Sequence, residues 1–245
     1  MDILVALGLA IALILALRTP LVRIPGVFYV MTVAIDLLFL SGALEDISPD
    51  FYRELLPFLR RCIFPYALFV VVMYIGVLPE SSRLRQYLNP VRGSLSIVAT
   101  LLVLCHVVSY LGVYAGVALG GFSTAASSTT VALAMALLLC AILGVLTVTS
   151  FGLIRCRMQG KTWRAIQKLS YPFFALVTVH AVVLLLPASM TGGAAAFSVS
   201  LYSGVFLLYV ILRLARWART RCGLGVQGAL QAECSVSPDL ELELV

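Results

Sequence analysis

The sequence predicts an all-α, polytopic membrane protein of about seven transmembrane helices, and three observations carry that prediction. Hydrophobic residues fill 62% of the 245 positions, charged residues only 11%, and the mean hydropathy is +1.07. A soluble domain carries about 25% charged residues, so the polar surface here is too small to keep a globule of this size dissolved. The apolar residues gather in long runs suited to a hydrocarbon core about 30 Å thick. Helix is the conformation such runs adopt, because a spanning segment must satisfy its own backbone hydrogen bonds. The third observation is that the basic residues fall between the runs and mark alternate sides.

Seven runs can be drawn: Ile3–Leu17, Pro25–Leu44, Ile63–Leu78, Ser94–Gly116, Val131–Ile154, Tyr171–Ala188 and Phe197–Leu212. The first is short. Asp2 is the only charge before Arg18, which is unlike the basic start of a signal peptide, so this run is read as a retained span. Residues 1–24 are then an additional N-terminal helix, 25–216 a helix bundle, and 217–245 a polar tail. The tail contains glycine, ends in Asp239, Glu241 and Glu243, and is expected to be disordered.

Charge placement sets the expected topology. The segments after the first, third, fifth and seventh runs carry Arg18 and Arg23, then Arg83, Arg85 and Arg92, then Arg155, Arg157, Lys161, Arg164 and Lys168, then Arg213, Arg216, Arg219 and Arg221. On the opposite side, Gly116–Thr130 and Ser189–Ala196 contain no charge, and Glu45–Cys62 mixes Arg53, Arg60 and Arg61 with four acids. The positive-inside rule places the N-terminus outside and the C-terminus in the cytoplasm of a cell inner (plasma) membrane. Basic residues so distributed are topology signals, and the net charge of +6 implies contact with lipid and no nucleic acid. In the mixed loop, Ser48-Pro49-Asp50 is suited to start a helix, with a capping side chain and proline at the first helical position. The stretch Phe51–Arg61 would lie along the interface as an amphipathic helix or form a solvated loop.

The six cysteines are scattered, without CxxC or CxxCH spacing, so zinc sites, dithiol redox chemistry and covalent haem attachment have no support. The chemistry-bearing residues are His106 in the fourth run and His180 in the sixth, the only two histidines in the chain. Ionisable residues at membrane depth are costly and mark function, although one histidine alone serves equally well to bond a neighbouring carbonyl. The depths of these two agree. His106 lies 14 residues beyond Arg92 and His180 lies 12 beyond Lys168, roughly 21 and 18 Å from the basic rim at 1.5 Å per residue. Two imidazoles at one level on separate spans are what bis-axial ligation of a single haem b requires.

Asp36, mid-way along the second run, is the other intramembrane ionisable group. Either a structural hydrogen bond or a proton relay beside a quinol site explains it. Arg92, Arg164 and Lys168 suit haem propionates or anionic headgroups, and topology alone also accounts for them. The string Gly223-Leu224-Gly225-Val226-Gln227-Gly228 spells a dinucleotide fingerprint, but it follows a membrane helix and leaves too few residues for a βαβ unit.

The arrangement resembles the ferric-reductase-like transmembrane family over Ile63 to Arg216, and within it the haem-binding membrane subunits of bacterial periplasmic methionine sulfoxide reductase systems. The resemblance rests on Arg92-Gly93 opening the helix that carries His106-Val107-Val108-Ser109-Tyr110, then Thr149-Ser150, Lys161-Thr162-Trp163, and Leu169-Ser170-Tyr171 leading to His180. It implies a six-helix core plus the N-terminal helix. It also implies a membrane cytochrome that takes electrons from the quinone pool or a cytoplasmic flavin reductase and passes them to an extracytoplasmic redox partner. Quinone or FMN would be a second cofactor. Where the family often places a further haem-binding histidine, 13 residues before His180, this chain has Gln167, so one haem is expected. Two other readings stay open: a haem-free proton-coupled transporter using His106, His180 and Asp36, or a membrane anchor or assembly factor of a redox complex.

Overall fold

A computed structural model describes residues 2–120 and 127–236. Among them every regular element is helical: α1 (Asp2–Arg23), α2 (Pro25–Leu40), α3 (Ala43–Ile47), α4 (Pro49–Arg60), α5 (Ile63–Ile75), α6 (Arg83–Leu88), a 3₁₀ turn (Asn89–Val91), α7 (Arg92–Gly120), α8 (Ser127–Val148), α9 (Gly152–Arg155), α10 (Gly160–Gln167), α11 (Ser170–Ser189) and α12 (Gly193–Val236). Five segments are long and apolar enough to cross a membrane: Ile3–Arg23, Arg83–Gly112, Thr130–Val148, Gly160–Ser189 and Gly193–Arg219. A sixth is formed when α4 and α5, bent by 48°, are counted together. The second predicted run yields the shorter α2, which ends at Leu40 because Ser41 and Gly42 close it; Gly42 takes a positive φ of 77° that a side chain would resist. The first run, the shortest on paper, becomes a full span reaching Arg23, since Pro20 sits inside α1 without ending it.

α5 is the central helix. Tyr66, Ala67, Leu68, Phe69, Val70, Val72, Met73 and Ile75 are all buried, with α1 on one side and α7 on another. α7 also packs on α2, while α11 packs on α12 and α8. The outward faces are apolar too: Val30, Leu137 and Leu153 are exposed by 71%, 66% and 81%. A water-soluble protein does not leave such a surface uncovered, and lipid is its natural solvent. α6 is tied to the end of α1 by Arg18, whose Nε donates to the Tyr87 carbonyl at 2.8 Å and whose guanidinium lies 4.1 Å from the Tyr87 ring.

The mixed-charge loop folds as the amphipathic helix α4, with Pro49 in its first turn as expected. The expected Ser48 cap is not formed: that residue begins the helix without a side-chain hydrogen bond. α12 runs as one backbone helix through residues 217–236, across the start of the predicted tail and through the GxGxxG string, which therefore lacks the strand-to-helix turn of a dinucleotide site. The remainder of the tail, residues 237–245, and the centre of the charge-free loop, residues 121–126, lie outside the described residues.

Candidate functional site

The site begins with a break in a helix. α4 stops at Arg60, Cys62 adopts the left-handed conformation with φ 59°, and the chain turns 48° into α5. A helix end leaves its last carbonyls without partners inside the helix. One of them, the Arg60 carbonyl, receives a hydrogen bond from His106 Nδ1 at 2.6 Å. A carbonyl only accepts, so Nδ1 carries the proton and Nε2 of the neutral ring keeps its lone pair. Fixing one ring nitrogen on a backbone carbonyl is how proteins orient a metal-ligating histidine. Tyr110, one turn on, holds the ring from the side at 5.1 Å between centroids, and the Arg60 guanidinium lies 5.6 Å from the Tyr110 ring.

His106 on α7 and His180 on α11 line one cavity of about 590 Å³. The two helices that carry them hardly pack on each other; each rests mainly on other helices, with α8 touching both, which is why space remains between them. The walls are mainly apolar and aromatic, with Phe69, Phe173 and Tyr202 among them, and Arg61 is the cation among the described lining residues. Tyr66, also in the wall, meets Tyr202 edge-on at 4.8 Å and lies 3.5 Å from the Thr178 hydroxyl. His180 Nδ1 is buried without a hydrogen-bond partner among the described residues. A buried, unpaired imidazole nitrogen costs on the order of 1–3 kcal/mol, which a ligand that orders or engages the ring would offset.

The other sequence-predicted residues are elsewhere. Arg92 does not line the cavity; its guanidinium lies beside Gly76 at the opposite end of α7. Asp36 is buried in α2, 7% exposed, with Oδ1 unpartnered, and it too is off the cavity lining. Gln167 is committed locally: its amide donates to Thr149 Oγ1 at 3.2 Å and reaches Ser150 Oγ at 3.5 Å, while Trp163 Nε1 donates to the Thr149 carbonyl at 3.0 Å. The Thr149-Ser150 and Lys161-Thr162-Trp163 elements thus meet where α10 docks on α8. Sequence reasoning missed Arg60, Arg61, Tyr66 and Tyr202. The signal for the arginines was present, since they are basic residues on the side that the positive-inside rule leaves poor in them.

The chain is a multi-pass helical membrane protein in which two imidazoles from separate helices line one mainly apolar cavity. In the comparisons, residues 61–178 match the ferric reductase like transmembrane component. The match begins at the α4–α5 break, includes His106 and ends two residues before His180. An uncharacterized protein of Treponema pallidum (strain Nichols) is 31% identical over 243 residues, 97% of this chain; the chain spans 65% of that protein's length.

Proposed function

We propose that the chain is a membrane b-type cytochrome holding one haem between His106 and His180. In this reading it takes electrons from quinol or a cytoplasmic flavoprotein and delivers them to an extracytoplasmic oxidoreductase partner. The carrying observation is the His106 Nδ1–Arg60 carbonyl bond, which leaves a lone-pair nitrogen on a ring that shares its cavity with a second histidine.

The residues present suit the group. Cofactor pockets run from about 300 to 1,000 Å³ and are mostly apolar with a few placed polar groups, which describes this cavity. Among the described residues no group of three or more His, Cys, Asp or Glu side chains gathers to hold a bare ion. His106 and His180 would hold haem iron, which brings its remaining donors with it. Bound there, haem would supply one-electron chemistry at iron. The chain's part is to set the tautomer of His106 through Arg60 and to exclude water with Phe69, Phe173 and Tyr202. Arg61 adds a positive charge that favours anionic substituents and raises the tendency of the site to accept an electron.

A reduced-minus-oxidised absorption spectrum of the purified chain tests the proposal. A b-type band is expected in the natural sequence and is lost in His106→Ala and His180→Ala; a colourless, active natural protein would instead favour the transporter reading. Asp36 is proposed as a proton relay because its Oδ1 is buried and unpartnered. Asp36→Asn keeps the shape and is expected to lower quinol-driven turnover at least about tenfold, as for the loss of an acid–base group. Unchanged turnover would remove the relay.

A further inference from the structure

The far end of the bundle gathers four arginines, two of which share a single carboxylate. Arg216 Nη1 donates to the Gly76 carbonyl and to the Leu78 carbonyl at 3.1 Å, and its Nη2 pairs with Glu80 at 2.9 Å. Arg85 reaches the same two groups, the Leu78 carbonyl at 3.1 Å and Glu80 at 3.2 Å. Arg92 comes to Gly76 from α7: a methyl group added there would stand 3.6 Å from its Nη2. Arg213, one turn before Arg216, donates to the Tyr171 hydroxyl and lies 4.7 Å from the Tyr171 ring. Arg92 has no hydrogen bond or ion pair among the described residues, and Glu80 is 79% exposed.

Topology signalling does not account for this convergence. Arginines that only mark a side extend into water, whereas the Arg85 and Arg216 side chains are folded in, 21% and 22% exposed. Four like charges gathered where only one carboxylate is at hand repel at short range, and the repulsion is strongest away from bulk water. A planar guanidinium fork is the group best shaped for phosphate oxygens.

From this geometry we infer an anion site of phosphate chemistry formed by Arg92, Arg213, Arg216 and Arg85 where the end of α5 and the middle of α12 meet the starts of α7 and α11. Its position at a membrane rim suits the headgroup of an anionic phospholipid, and a soluble phosphate-bearing ligand shares the chemistry. The site is separate from the histidine cavity and does not depend on what that cavity holds.

The test is thermal unfolding of the full chain in neutral detergent, titrated with phosphatidylglycerol, phosphatidylcholine or inorganic pyrophosphate. Phosphatidylglycerol is expected to raise the Tm saturably and phosphatidylcholine to leave it unchanged. Arg92→Gln and Arg213→Gln should each raise the half-saturating lipid concentration about tenfold, the loss expected for one charge-assisted contact. Arg83→Gln, exposed at the same end, should have no effect. If Arg92→Gln does not fold, Arg213→Gln decides. A response to pyrophosphate alone supports the site and assigns it to a soluble ligand. Equal responses to both lipids with none to pyrophosphate, or Arg83→Gln as damaging as Arg213→Gln, overturn it.

Discussion

His106→Ala and His180→Ala are expected to abolish the b-type spectrum alike, yet to affect the ligand-free protein in different ways. In His106→Ala the Arg60 carbonyl loses its donor at a helix end that has no replacement for it. Losing such a hydrogen bond costs about 0.5–1.5 kcal/mol. It also frees the α4–α5 elbow that the ring holds. In His180→Ala the deleted side chain takes with it a buried Nδ1 that had no partner, along with the ring's hydrogen bond to the Ala132 backbone, so the ligand-free protein should lose less stability than in His106→Ala. Unfolding of the two apo variants, followed by circular dichroism in detergent, measures the difference. Equal destabilisation would show that the Arg60 bond does not anchor the ring. Added imidazole should restore part of the spectrum in either variant, because the cavity keeps the space the side chain vacates.

Phe174→Ala is expected to be the most destabilising single truncation in the bundle. Phe174 is 1% exposed and sits among three rings, with centroids 6.1 Å from Tyr66, 5.8 Å from Phe206 and 5.1 Å from Tyr209. It joins α11 to both α5 and α12. Lipid tails are as apolar as the side chain, so transfer from water is not the main term here; lost dispersion contacts and the cavity are. Phe→Ala changes in packed interiors cost about 3–5 kcal/mol, and for a chain of this size the Tm should fall on the order of 10 °C. A loss below about 1 kcal/mol would mean that α11 and α12 close the gap by repacking.

Hydropathy made the helices readable, because a span must be apolar for about 20 residues whatever it packs against. The arrangement of those helices was not readable. Val30 on α2 and Val70 on α5 look alike in sequence, yet one is 71% exposed and the other 6%. In a bilayer both the lipid face and the packed face are apolar, so no period separates them. The histidine pair was legible because polar residues at that depth are rare. The Arg60 carbonyl was not, since its availability depends on a left-handed Cys62 that no side-chain preference announces. Arg92 shows a different limit. The 14-residue count that puts His106 deep also puts Arg92 about 21 Å from it along one helix, and the cavity cation is instead Arg61.

The brevity of α2 has a consequence for the surrounding membrane. Sixteen residues rise about 24 Å, some 6 Å less than a typical hydrocarbon layer. Such mismatch costs fractions of a kcal/mol per ångström, relieved when the adjacent leaflets dimple inward or short acyl chains collect there. The flank formed by α2 should therefore gather thin, loosely ordered lipid, and the chain should partition away from thick, sterol-stiffened domains.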